Sequence, residues 1–368
     1  MTSALQIFRL LKELDGPAVL ATLVGVEGSS YRKPGARLLL GIEGPKAGNI
    51  SAGCLETDIQ ARVQEVLGTG QSRIVAYDLG IELDLVWGTG MGCEGKAEIL
   101  LEPVLPGRLA PWVHFCSQQL ERRRTCALGT VVATTGAVAF AVGDRFSYDD
   151  RNHGLLPIDP QLSIELGRVC AQVREAGGPV RQRFQVPGGS VDLLVEPLIP
   201  TTALWIYGAG EHARILAQLA GQLDWQVGIL DHRPALATPE RFPGAEVVRA
   251  GHPVETMADL RLDARSAAVV LSHVYAKDKE ALTFFLQCGA GFVGLQGNRK
   301  RSEKLLKELE TEGFQITDTM REQLYYPVGL DLGAEAPEGI ALSILAEIQA
   351  VLAGRSAGHL RDRKAAIH

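Results

Sequence analysis

The 368-residue chain is predicted to be an α/β protein of two parts: an N-terminal mixed α+β region to about residue 200, followed by a C-terminal Rossmann-like, doubly wound parallel-sheet domain. Three observations carry this prediction. Short apolar runs cluster between turns up to Pro200, and strand and helix patterns alternate from Ala203 onward. The first strand of the second part then runs straight into Gly208-Ala209-Gly210-Glu211-His212-Ala213, a G-x-G-x-x-A turn that opens a helix. At about 150 residues per domain the length allows two or three compact units, and segments 1–106, 107–200 and 201–368 are expected.

The elements follow in order. Residues 1–16 place apolar side chains at helical spacing and lack a basic segment, an apolar core and a small-residue cleavage site, so an amphipathic helix of a cytoplasmic protein is expected rather than a secretory signal. Strands are predicted at Ala18–Val26, Ala36–Ile42, Ser72–Leu79 and Lys96–Leu105, with a helix over Leu55–Leu67, together forming a mixed sheet. A helix over Pro111–Arg124, an apolar strand pair within Cys126–Gly143, a helix near Pro160–Ala176 and a strand at Val191–Pro200 complete the first part. The second part has a βαβ unit over Ala203–Pro234, strands at Ala267–Ser272 and Gly291–Gly297, and helices at Lys277–Gln287, Ser302–Glu312 and Pro337–Leu352. AEILLEPVLP (97–106) and VDLLVEPLIP (191–200) share an acid, aliphatics, Glu-Pro and a closing Pro. That frame reads either as a partial internal repeat or as two edge strands closed by proline.

Composition excludes several classes. There are 37 basic and 43 acidic residues for a net charge of −6, and no basic stripe interleaved with aromatics, so nucleic acid is not expected as a partner. No apolar run approaches the roughly 18 residues needed to cross a bilayer, so no membrane segment is expected. The six cysteines (Cys54, Cys93, Cys116, Cys126, Cys170, Cys288) form no CxxC pair, and no HExxH or Cys–His cluster suggests an all-protein zinc site.

The chemistry is sought in loops, where the 41 glycines concentrate. Gly208 suits a tight turn, Gly210 a close approach of a pyrophosphate, and Asp231 stands where an acid would take a ribose diol, so the second domain is a candidate binder of NAD(P) or FAD. Arg233 leaves NAD against NADP open. His273 and Asn298 fall at carboxyl ends of predicted parallel strands. Asn298 is a candidate helix cap, His273 either a structural histidine or a ligand contact, and the basic run Arg299–Arg301 either a solvated helix start or a phosphate partner. In the first part, Ser29, Ser30, Arg32 and Arg37 lie in a glycine-flanked turn whose hydroxyls and cations suit an anion cradle. Gly53 and Cys54 stand at a helix entrance that would favour a thiolate able to bind a soft metal or carry sulfur; the plainer reading is a small buried hydrophobe. Cys93, between glycines, is a second such thiol.

These segments resemble the XdhC/CoxI family, accessory factors of xanthine dehydrogenase and related molybdenum hydroxylases. The likeness rests on Val26–Leu40, Ser51–Ile59, Gly90–Pro103, Leu204–Ala213, Gly291–Arg301 and Pro327–Ile348. It implies a chaperone that binds the molybdenum cofactor, promotes its sulfuration with a cysteine desulfurase and delivers it to the apo-hydroxylase, with a homodimer expected and no catalytic residue of its own. The family's S-G-G-C-L-E pattern falls on Ser51–Glu56, with Ala52 for a glycine, and its G-C-G-G turn on Gly92–Gly95, with Glu94 for a glycine; Leu271-Ser272-His273 retains the family's histidine. The other classes weighed are an NAD(P)- or FAD-dependent oxidoreductase and a scaffold that bridges desulfurase and hydroxylase.

Overall fold

The protein, seen in a computed structural model, is described for residues 3–28, 32–51, 53–78, 95–149, 151, 154–155 and 159–364. Two compact units divide the chain, Met1–Pro200 and Thr201–His368.

The first unit opens with α1 (Ala4–Lys12), capped by the Ser3 hydroxyl, which accepts from Gln6 N at 3.2 Å; Leu5, Ile7, Phe8 and Leu11 form its buried stripe. Its first sheet contains β1 (Ala18–Gly28), β2 (Arg37–Gly41), β3 (Pro45–Gly48), β4 (Arg73–Asp78) and β5 (Gly95–Val104), in the order β3-β2-β1-β5-β4. Every neighbouring pair is antiparallel, which corrects the expected mixed sheet. The cause is the routing of the chain. Helices α2 (Glu56–Ala61) and α3 (Val63–Thr69) carry it from β3 at one edge to β4 at the other instead of returning it beside the strand it left, as a parallel crossover would. The single helix expected over Leu55–Leu67 is divided at Arg62, whose side chain is held by Asp58.

After α4 (Pro111–Glu121), a second sheet is built from β6 (Cys126–Gly136), β7 (Arg145–Tyr148), β8 (Val180–Val186) and β9 (Gly189–Leu198), with α5 (Pro160–Ala176) covering one face. Its order β7-β6-β9-β8 has the plan of β2-β1-β5-β4. The register shifts correspond too, lying between Leu23 and Gly25 on β1 and between Val131 and Ala133 on β6. The apolar stretch Ala137–Val142, expected to supply the second strand of a pair, is instead the connection between β6 and β7. Val24, Leu100, Val132 and Leu194 meet in one buried cluster drawn from both sheets. Two ion pairs also cross between the sheets, Arg37 with Glu196 and Arg145 with Glu102. Both glutamates belong to the Glu-Pro frames noted in the sequence.

The second unit is a six-stranded parallel sheet of β10 (Ala203–Tyr207), β11 (Gln226–Asp231), β12 (Val247–Ala250), β13 (Ser266–Val270), β14 (Phe292–Leu295) and β15 (Leu324–Tyr325), in the order β12-β11-β10-β13-β14-β15. This is the doubly wound order with its switch between β10 and β13. Leu204 and Ile206 pack on one face with α6 (Glu211–Gln222) and α11 (Pro337–Leu352); Trp205 and Tyr207 pack on the other with α8 (Tyr275–Gln287) and α9 (Arg299–Thr311). The short β12 and α7 (Pro253–Met257), and likewise α10 (Asp318–Gln323), carry too few apolar residues to stand out in the sequence.

Candidate functional site

The register of the first sheet brings together the strand ends that border two signature segments of the first unit. Gly28, the last residue of β1, lies opposite Gly95, the first of β5, and Asp78 at the end of β4 lies opposite Lys96. The strand ends that border, in the chain, the stretches holding Ser29, Ser30 and Cys93 are therefore neighbours. Leu38 near the start of β2 pairs with Gly48 at the end of β3 and with Ala21 on β1, so the turn holding Cys54 leaves β3 level with Ala21, partway along β1 rather than beside Gly28. Ser29, Ser30 and Cys93 themselves lie outside the described residues; Arg32 is half-buried and Lys33 exposed.

Arg37 does not join that cradle. It pairs with Thr22 across β1 and β2, a position that turns its guanidinium into the interior. There Nη1 donates to Glu196 Oε2 at 3.1 Å and to the Gly35 carbonyl at 2.9 Å. Its side chain is 3% exposed, which leaves it no access to a ligand.

The Cys54 turn is organised by Glu56, a residue not among the candidates drawn from the sequence. Its carboxylate accepts from Ile50 N at 3.0 Å, Ser51 N at 2.9 Å, Gly53 N at 3.0 Å and Leu55 N at 3.2 Å. Partial burial opposes its ionisation, but the Ser51 hydroxyl and the amides of Ser51 and Ile50 outweigh it and hold the carboxyl below its usual range. The amides expected to favour a Cys54 thiolate are thus directed at Glu56, and α2 is a six-residue helix with no side-chain cap. Cys54 is exposed, and Gly53 holds φ +113°, with no described residue near where a Cβ would stand. The spacing Gly53-x-x-Glu56, a capping-box offset, is the sequence signal for this arrangement. Among the described residues no group of three or more His, Cys, Asp or Glu could hold a metal ion.

In the second unit the strand ends converge on one crevice. Gly208, at φ +124°, passes so close to the end of β13 that a Cβ would stand 2.7 Å from Leu271 C and Ser272 N. Gly210 faces open space and begins α6 without a side-chain cap. His212 and His273 face each other with ring centroids 6.1 Å apart, and Gln296 Nε2 lies 3.1 Å from His212 Nδ1. His273 holds φ +62°, unusual for a residue with a side chain, and burial lowers its pKa. The turn before it is tied down by Asp278, which accepts from Ser272 Oγ at 2.6 Å and from Arg301 Nη2 at 2.6 Å. Asn298 Oδ1 accepts from Arg301 N at 2.9 Å and is spent in capping α9.

Against a dinucleotide, the pyrophosphate half of this crevice fits and the ribose half does not. The open space over Gly210 and the free amide end of α6 suit a diphosphate. Asp231, however, is 0% exposed and already accepts from Ala209 N at 2.6 Å, Arg233 N at 2.8 Å, Arg233 Nε at 2.9 Å and Arg233 Nη2 at 2.7 Å. A carboxylate has about four acceptor sites, so no lone pair is left for a ribose diol.

Comparison with known proteins agrees with both halves of the chain. Residues 204–348 match the XdhC Rossmann domain and residues 11–78 the XdhC and CoxI family. The chain is 30% identical over 339 residues to a probable xanthine dehydrogenase subunit of Bacillus subtilis, covering 92% of this chain and 94% of the relative. It is 24% identical over 335 residues to the molybdenum cofactor insertion chaperone PaoD of Escherichia coli, covering 91% and 83%. A crystal structure of a xanthine dehydrogenase from Bacillus halodurans superposes with a TM-score of 0.76 at 28% identity, over 98% of each chain. With signature motifs in both units and a relative aligned along nearly its whole length, the chain belongs to the XdhC and CoxI family.

Proposed function

We propose that this protein is an accessory chaperone that binds the molybdenum cofactor, assists its sulfuration and inserts it into a xanthine dehydrogenase-type molybdenum hydroxylase. The first unit carries the reading: the sequence after Gly28 supplies two serines and Arg32, Gly28 lies opposite Gly95, which follows the Cys93 turn in the chain, and Cys54 is exposed. Molybdopterin presents a phosphate, a polar pterin and a dithiolene-bound metal, and these segments offer cations and hydroxyls for the first and a soft sulfur for the last. Its partners would be the hydroxylase and a cysteine desulfurase. The name of the Escherichia coli relative, a cofactor insertion chaperone, supports the same direction.

The test is transfer of molybdenum cofactor to an apo-hydroxylase in the presence and absence of the desulfurase. The native chain is expected to raise recovered hydroxylase activity, and Cys54→Ala to lower it severalfold while cofactor-free melts remain unchanged. Full transfer by a folded Cys54→Ala protein would remove the thiol from the mechanism. No stimulation by the native chain would overturn the chaperone reading.

A further inference from the structure

We infer that the crevice of the second unit binds a nucleotide that presents an additional phosphate to Arg233, and that it discriminates against the free ribose diol of NAD or FAD. Asp231, which would take such a diol, is wholly buried and has all its acceptor sites filled by Ala209 and Arg233. Two further hydroxyl donors would find no acceptor, and their burial without partners would oppose binding. The same bonds give Arg233 a fixed aim. Nε and Nη2 are committed to Asp231, whereas Nη1 takes no part in that fork, and the side chain is 37% exposed. A guanidinium fixed along one edge and open along another suits a phosphate, which accepts at several oxygens without reorganising the protein.

Three neighbours fit an anionic ligand. Arg241 donates through Nη2 to Ala209 O at 3.4 Å, so a second guanidinium flanks the glycine turn, and its Nε is buried without a partner among the described residues. Gly210 leaves the space over the turn open. Tyr207, at the end of β10 and directly before Gly208, is 0% exposed, and its hydroxyl has no partner among the described residues. Buried polar atoms without partners at the base of an open glycine turn mark a place where polar partners are missing.

The probes are NADPH and NADH, titrated into the full-length protein by calorimetry at two salt concentrations, with 2′-AMP and 5′-AMP as competitors. NADPH is expected to bind at least about tenfold more tightly than NADH, the size of one charge-assisted contact. The preference should shrink at high salt, and 2′-AMP should compete better than 5′-AMP. Arg233→Lys keeps the charge and removes the fork, and it should narrow the ratio; Arg233→Gln should abolish it, with circular dichroism melts checking that both variants fold. NADH binding as tightly as NADPH, an unchanged ratio in folded Arg233→Gln, or no binding of either nucleotide to the native protein would each overturn the inference. Cofactor transfer to the hydroxylase is measured separately, so this outcome and that of the chaperone reading are distinguishable.

Discussion

At the scale of single residues, Arg37 and Glu196 make the strongest prediction. With side chains 3% and 5% exposed, each charge depends on the other for compensation. Arg37→Leu alone should cost about 3–5 kcal/mol in chemical denaturation, because it strands the Glu196 carboxylate; the double variant Arg37→Leu with Glu196→Leu should recover most of that loss. A double variant as unstable as the single would show that the arginine acts by packing rather than charge. Arg37 also shows what the sequence can and cannot convey. Its place in a cationic loop near Arg32 is legible, since chain proximity is written in the sequence, whereas the face of a strand it occupies is not. The glutamates that answer the two buried arginines are visible there only as a repeated Glu-Pro. Exposure separates the thiols as well: Cys54 is exposed, and Cys116, Cys126 and Cys170 are buried. In a Cys93→Ser background, iodoacetamide at neutral pH should label Cys54 in the native protein. Cys170, pushed up to about 12 by burial, and Cys116, raised by the hydrogen bond with Cys126 and by burial, should react only after unfolding. Peptide mapping by mass spectrometry checks it.

At the scale of elements, the Ser51–Glu56 turn depends on one ionised carboxyl. Its folded pKa lies below the unfolded value of about 4.3, so its contribution is fully present above that value and is lost as pH falls through the folded pKa. Glu56→Gln should therefore lower the melting temperature at pH 7 and converge with the native protein as pH falls through the lowered folded pKa; an equal deficit at neutral and strongly acidic pH would rule out the charge as the cause. The glycine turn offers a paired test. Gly208→Ala places a Cβ 2.7 Å from backbone atoms of Leu271 and Ser272 at φ +124° and should cost stability, whereas Gly210→Val meets open space and should keep the native melt while losing nucleotide affinity by calorimetry. Elements with a strong period, such as α5, α11 and the βαβ unit, are legible in the sequence because burial alone determines them. The division at Arg62, the strand β12 and the direction of the first sheet's pairings are not, because each depends on where the chain is carried next.

At the scale of the whole molecule, the two compact units join at Pro200–Thr201, and each has its own buried clusters. Separate polypeptides of residues 1–200 and 201–368 should therefore each show a cooperative thermal transition with near-ultraviolet dichroism. A fragment that lacks either signal would make the two units one folding entity. The crossed ion pairs of the first unit carry a further meaning in time. Arg145 follows its glutamate by 43 residues, while Arg37 precedes its own by 159. At a synthesis rate of about 5–20 residues per second, Arg37 must wait roughly 8–30 s on the ribosome for its partner. During that interval the nascent first sheet holds an apolar face, Val24 and Leu100 among it, that its sister sheet has yet to cover.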